Sequence, residues 1–221
     1  MLRTVSSRPE DQVDIVSDAS WALIETHGAF LEADDGDTIL QLGETDDHLL
    51  IVLSGQATLA YYPNGRRQPT AIYYTPGEVL HHAGMHLELP NPFAIEAASA
   101  GTRVVLIERT MVYQMIGGDV SFAEYLFKDL SERYFIVLEY LTEHRHQPLI
   151  NRLGKRLLLI TDHRPAVEFT QAELAEILAV TRISISKAIK TLEELGLIKR
   201  VDRALITVDR DKLKAWLAAQ S

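Results

Sequence analysis

The apolar residues of this chain change their period once, near Thr110, and that change limits the folds open to it. From about Phe30 to Glu108 they come in short alternating or wholly apolar segments separated by turn residues. Phe30–Ala33 precedes Asp34-Asp35-Gly36-Asp37, Thr38–Leu42 precedes Glu44–Asp47, and His48–Leu53 ends at Ser54-Gly55. Gln56–Tyr62 ends at Pro63-Asn64-Gly65, where an Asn-Gly pair that tolerates positive φ predicts a hairpin into Gln68–Tyr74. Phe93–Ser99 and Arg103–Glu108 follow, giving roughly seven strands spaced near ten residues apart, the pattern of an antiparallel β-roll, barrel or sandwich. Ser20–His27 reads as a short helix leading in.

Beyond Thr110 the pattern is helical. Thr110–Ile116 predicts a short helix broken by Gly117-Gly118, and Asp119 then caps a long one, Val120 to about His146. Phe122, Leu126, Leu130, Tyr134, Val137 and Leu141 recur in steps of three and four, while Tyr125, Phe127, Ile136, Leu138 and Tyr140 lie off that stripe. A helix apolar on more than one side needs two covers, here the β-domain and a helix of a second copy. Burial within a monomer is the alternative. After Gln147-Pro148 a fresh helix covers Leu149–Thr161, and Asp162–Val167, with Pro165, reads as a loop.

The last segment carries the chemistry. Thr170 and Glu173 form a capping box that opens a helix over about Gln171–Leu178, with Leu174 and Ile177 inward and small Ala175 at a close helix contact. Ala179-Val180 makes a tight turn. Thr181 caps a second helix, Arg182 to about Leu195, with Ile185, Ile189 and Leu192 inward and Arg182, Ser184, Ser186, Lys187 and Lys190 outward. Donors and cations on the first turns of such a helix suit a DNA major groove. Gly196 ends it in the left-handed conformation. Leu197–Val201 and Ala204–Val208 then form a wing around Asp202-Arg203, with Lys199, Arg200 and Arg203 near its tip, and Asp209 starts a last helix ending at Trp216-Leu217.

Charge follows the same division. The net charge of −9 divides into 9 Lys/Arg against 22 Asp/Glu before Gln147, and 13 against 9 from Gln147 onward. An acidic front and a mildly basic back suit two parts with different partners, because phosphate contacts depend on local charge. With no cysteine, thiolate zinc sites, disulfides and iron–sulfur clusters are excluded. No apolar run is long enough to span a bilayer and the opening residues lack a secretory apolar core, so a cytoplasmic protein is expected. P-loop, Rossmann, serine-elbow and HExxH patterns are absent from the sequence, and the pairs Asp34/Asp35 and Asp46/Asp47 fall in turns, so an enzyme is not expected. A cupin-type metalloenzyme and a winged helix that binds protein are the competing readings.

The segment Phe169–Arg200 (FTQAELAEILAVTRISISKAIKTLEELGLIKR) closely resembles the DNA-binding segment of the catabolite activator and fumarate–nitrate regulator (CRP/FNR) family. Asp35–Ile39, His48–Leu59 and Pro76–Leu80 resemble that family's cyclic-nucleotide-binding-like β-roll. The likeness implies an α+β protein: an effector β-roll over 1–118, a dimerisation helix over 119–146 and a winged helix-turn-helix over 147–221. It implies a homodimer on a near-palindromic double-stranded DNA site, with RNA polymerase and a small-molecule effector as further partners. By position, Thr170, Gln171, Thr181 and Ser184 would contact phosphate and Arg182, Ile183, Ser186 and Lys187 would read bases; Lys190, Lys199 and Arg200 extend the cationic face. Ile183 stands where the best-known members carry a glutamate and Lys187 where they carry an arginine, so the half-site differs from theirs.

The effector pocket departs further. Over Glu78–Asn91 the family's acidic position falls on His82 and its Arg-Ser pair on Asn91-Pro92, with no arginine from Gly77 to Glu96. A buried phosphate without a cation is strongly unfavourable, which argues against cyclic AMP. His81, His82 and His86 stand in its place. They leave a haem ligand, a small apolar or aromatic effector, hydrogen-bonded histidines of a short helix, or no effector at all as open readings.

Overall fold

A computed structural model describes residues 2–220 apart from 12, 14, 15, 63, 64, 164 and 165, and without the side chains of 9, 69, 71, 139–146 and 163. The Pro63-Asn64 part of the predicted turn and Pro165 therefore lie outside the described residues. The chain divides into two compact units, Met1–Ile136 and Val137–Ser221.

In the first unit, strands β1 (Arg3–Val5), β2 (Ala29–Ala33), β9 (Thr102–Glu108), β4 (His48–Ser54) and β7 (Val79–Leu80) form one antiparallel sheet in the order β1-β2-β9-β4-β7. Strands β3 (Thr38–Leu40), β8 (Ala94–Ala97), β5 (Ala57–Tyr61) and β6 (Gln68–Tyr74) form the other, in the order β3-β8-β5-β6. The unbroken apolar run of β4 has a simple cause, which is burial on both faces. Leu49, Ile51 and Leu53 enter one core with Trp21, Ile24, Phe30, Val105 and Ile107, while Leu50 and Val52 enter the other with Ala57, Leu80, Ile95 and Val104. The hairpin read from Asn64-Gly65 joins β5 to β6, with Tyr61 opposite Gln68.

Helices cover the first core: α1 (Asp18–His27), α3 (Arg109–Gly118) and the start of α4 (Val120–His146) contribute Trp21, Ile24, Val112, Met115, Phe122 and Tyr125. The helix α1 begins two residues earlier than the apolar pattern implies, because Ser17 caps it through the Ser20 N–H. The glycine pair does not break α3. That helix runs through Gly118 and stops at Asp119, whose carboxylate accepts from the Ser121 N–H to cap α4 and from Ser17 and Ser20 to tie α4 to α1. Strands β1 and β7 escaped the sequence reading, being two or three residues long and set by pairing with β2 and β4.

The apolar residues of α4 change their surroundings along its length. Phe122 and Tyr125 are buried and Leu126 partly so, but Phe127, Leu130, Tyr134 and Val137 are 73, 49, 64 and 52% exposed. These four lie three, four and three residues apart and form an apolar seam open on the helix surface, with Leu138 beside it and Phe135 and Ile136 exposed off it. Leu141 and Tyr140 lie outside the described side chains.

The second unit is a helical bundle backed by a small sheet: α5 (Leu149–His163), α6 (Gln171–Ile177), α7 (Arg182–Glu194) and α8 (Arg210–Ala218), with β10 (Val167–Glu168), β11 (Ile198–Arg200) and β12 (Leu205–Val208) ordered β10-β12-β11. The end of the segment read as a loop, Val167, instead belongs to the third strand, because β12 offers Ile206 and Leu205 as partners.

One buried ion pair closes the first unit. Arg103, 2% exposed, donates from Nε and Nη2 to the two carboxylate oxygens of Asp11 at 2.9 and 2.6 Å, and from Nη2 to the Ser6 carbonyl at 2.9 Å. Removing one partner of such a pair strands a buried charge. Arg103→Met is therefore expected to destabilise this unit by about 3–5 kcal/mol in urea unfolding, with Asp11→Asn added to the variant restoring part of the loss.

Candidate nucleic-acid interface and the effector region

The capping box forms as read: Thr170 Oγ1 accepts from the Glu173 N–H at 3.2 Å while Glu173 Oε2 accepts from the Thr170 N–H at 2.8 Å. The turn that follows holds Ala179 at φ +52°, a left-handed conformation that ordinarily favours glycine, and closes with the Val180 N–H donating to the Ala175 carbonyl at 2.9 Å. Thr181 Oγ1 then accepts from the Ser184 N–H at 3.2 Å and starts α7. At the other end Gly196, at φ +68°, donates its N–H to the Glu193 carbonyl at 2.9 Å.

The orientation of α7 decides what the site can do. Ile185, Ala188, Ile189 and Leu192 are buried, and the helix packs on α5 and α6. Arg182, Ile183, Ser186, Lys187 and Lys190 are consequently exposed and Ser184 is half-buried. Thr170, Gln171, Arg182, Arg200 and Arg203 line one open groove between the start of α6, the start of α7 and the wing. Sequence reasoning assembled most of this set. It left Arg203 out of the contact residues and missed how carboxylates temper the cations. Arg200 donates to Glu193 through its backbone N–H at 3.1 Å and Nε at 2.9 Å, which holds the Glu193 carboxyl below the usual carboxylate range. Lys190 Nζ lies 3.6 Å from Glu194, on the exposed side of the helix. Lys199 is exposed on β11.

The three histidines meet separate partners, as hydrogen-bonded histidines of a short helix would. His81 Nδ1 bonds the His48 carbonyl at 2.9 Å, and its ring lies where any Cβ on Gly84 would sit. His86 Nδ1 bonds the Tyr113 hydroxyl at 2.6 Å on the exposed surface. Asn91 is buried, with its backbone paired to Gly43 and Glu44. Only His82 meets charged groups, its Nε2 lying 3.4 Å from Asp129 Oδ2.

Around it stands a set of which the sequence reading named Glu78 for the pocket but not Asp129 or Arg133. Arg133, on α4, donates from Nη2 to Glu78 Oε1 at 2.8 Å, has Nε 3.6 Å from Asp129, and lies 4.1 Å over the Tyr74 ring. Asp129 Oδ1 accepts from the Val79 N–H at 3.2 Å, and Tyr125 donates its hydroxyl to the Gly77 carbonyl at 2.8 Å. Burial pushes His82 down to about 4, helped by Arg133 and His81, and pushes Asp129 upward. The i, i+4 spacing of Asp129 and Arg133 was the available signal, but their distance from Glu78 in sequence hid the partnership.

Arg133 brings the cation missing from residues 77–96, and Glu78 and Asp129 already lie against it.

Both parts of the chain match known domain models. Residues 30–119 match the cyclic nucleotide-binding domain model and residues 151–216 the Crp-like helix-turn-helix domain model. In structure the chain is similar to a CRP/FNR-family transcriptional regulator from Thermus thermophilus at 21% identity, covering 87% of this chain and 100% of that one with a TM-score of 0.66. It is also similar to a CooA mutant from Carboxydothermus hydrogenoformans (15% identity, 97% and 98% covered, TM-score 0.69) and to FixK2 from Bradyrhizobium japonicum (18%, 85% and 96%, TM-score 0.64). No curated protein matches the sequence.

A pH test follows from His82. Its folded value lies below the ordinary 6.5, so between the two the unfolded chain binds the proton and the folded chain does not, and stability falls as pH falls through that window. Asp129, shifted upward, works in the opposite direction in the same protein, so a variant comparison isolates the histidine. Wild type is expected to lose about 2 kcal/mol more than His82→Gln between neutral pH and about pH 4.5, read by urea unfolding at each pH.

Proposed function

A cyclic nucleotide-binding domain followed by a Crp-like helix-turn-helix domain makes this chain a member of the CRP/FNR family of transcription regulators, and on that premise we propose that it acts as a homodimer reading a near-palindromic operator. The single observation that carries this reading is the outward row of α7, where Arg182, Ile183, Ser186 and Lys187 stand free of the core. Base-edge contacts come from that row. Thr170, Gln171, Thr181, Ser184, Lys190, Lys199 and Arg200 hold the phosphate backbone, and the two copies of α7 sit about one DNA turn apart.

The open seam of α4 supports dimerisation. Phe127, Leu130, Tyr134 and Val137 repeat at the spacing by which two helices pack along a common axis, and a second α4 would cover them. The domain boundaries follow function: sensing over 1–118, pairing over 119–146 and DNA reading over 147–221. The pairing of Arg133 with Glu78 and Asp129 supports a sensing part whose effector is other than cyclic AMP, with haem as the alternative. Any effector is a small molecule acting on the contacts between α4 and the β-roll. The family's members are transcription regulators and not enzymes, and this chain works in the cytoplasm with RNA polymerase as its partner in regulation. No helix among the described residues is long and apolar enough to cross a membrane.

Selection from random duplex DNA with the full chain is expected to enrich a near-palindrome; a pool with no enriched sequence would overturn the reading. On the enriched operator, Lys187→Ala is expected to weaken specific binding by roughly 1–3 kcal/mol. Lys199→Ala should instead weaken binding across sequences and flatten the salt dependence by about one phosphate contact. Leu130→Glu with Val137→Glu is expected to give a monomer in analytical ultracentrifugation and at least a tenfold loss of operator affinity, with helical circular dichroism retained.

A further inference from the structure

The least expected side chain on α7 is Ile183. It is 70% exposed, more than any other large apolar residue of the second unit named as exposed, where Val201 is 56% and Leu195 48% exposed. At helical periodicity it lies opposite the buried row of Ile185, Ile189 and Leu192. Ser186, Lys187 and Lys190 follow at three, four and seven residues, so Ile183 begins the row that looks straight out. A β-branched apolar residue gains nothing from water there and is a poorer helix former than lysine or alanine. Its surroundings are cationic, with Arg182 beside it and Lys187 one turn on, which fits a polyanionic partner rather than an apolar protein groove.

The base edges in a major groove carry one projecting apolar group, the 5-methyl of thymine. We propose that Ile183 reads that methyl group and so selects thymine at one position of each half-site. The proposal rests on the operator-reading function above and adds which base this residue chooses. Ile183 closes over the methyl by apolar contact, and Lys187, one turn along the same row, donates to acceptors on a neighbouring purine.

Uracil is the probe, since it keeps every hydrogen-bonding group of thymine and lacks only the methyl. Deoxyuridine is placed at each thymine of the selected operator in turn, symmetrically in both half-sites, and affinity is measured for wild type and Ile183→Ala. Burial of one methyl corresponds to about a fourfold affinity difference per half-site, or roughly fifteenfold for both. Wild type is expected to show that loss at one thymine position per half-site, and Ile183→Ala to show none there. Ile183→Ala on the thymine operator should be weakened to a similar degree, with an unchanged melting temperature because the side chain touches no core. An enriched operator indifferent to uracil at every position, or equally sensitive with both proteins, overturns the assignment of Ile183 while leaving operator reading intact. Unchanged DNA binding by Ile183→Ala overturns it as well and points to a protein partner for this face. Failure to enrich any operator removes both readings together.

Discussion

Packing of Ile185, Ala188, Ile189 and Leu192 against α5 and α6 is the contact on which the DNA-facing surface depends. A helix has only one angular freedom about its axis once an apolar stripe is buried, so sealing that stripe aims the opposite row. Two caps fix the ends of the helix. Thr181 starts it where the turn from Ala179 delivers the chain, and Gly196 stops it before the wing. The cations are therefore aimed by apolar residues that never meet the ligand.

The front domain shows the complementary strategy, in which charged groups are placed inside and answered there. Arg133 leaves the long helix to meet Glu78 and Asp129 and to lie on Tyr74. These contacts join the β-roll to α4, and burial keeps His82 neutral and Asp129 reluctant to ionise. An effector acting through this region has to compete with bonds the chain makes to itself. That is a different design from a pocket whose cation waits for a phosphate.

Between those regions, α4 changes character along its length. Its first turns are a piece of the β-roll's core through Phe122 and Tyr125, and further along Phe127, Leu130, Tyr134 and Val137 form an open seam. One helix thus carries both the ion pairs at Asp129 and Arg133 and an exposed apolar surface. A shift at the ion pairs would be felt at the seam, because both sets of side chains ride on the same hydrogen-bonded helix.

Local rules were enough wherever neighbours in sequence were also partners in space. The capping box at Thr170 and Glu173, the inward row of α7, the hairpin from β5 to β6 and the span of the long helix are all short-range patterns, and periodicity alone determined them. Tertiary structure decided what periodicity has no access to. It drew Val167 into a strand because β12 lay ready to pair, sent His81, His82 and His86 to three separate partners, and carried Arg133 across the intervening chain to Glu78. The physical reason is the same in each case: a side chain's partner is fixed by which surfaces close together on folding, and hydrogen bonds and ion pairs form only once that closure brings their groups within contact distance, so the sequence alone does not show them.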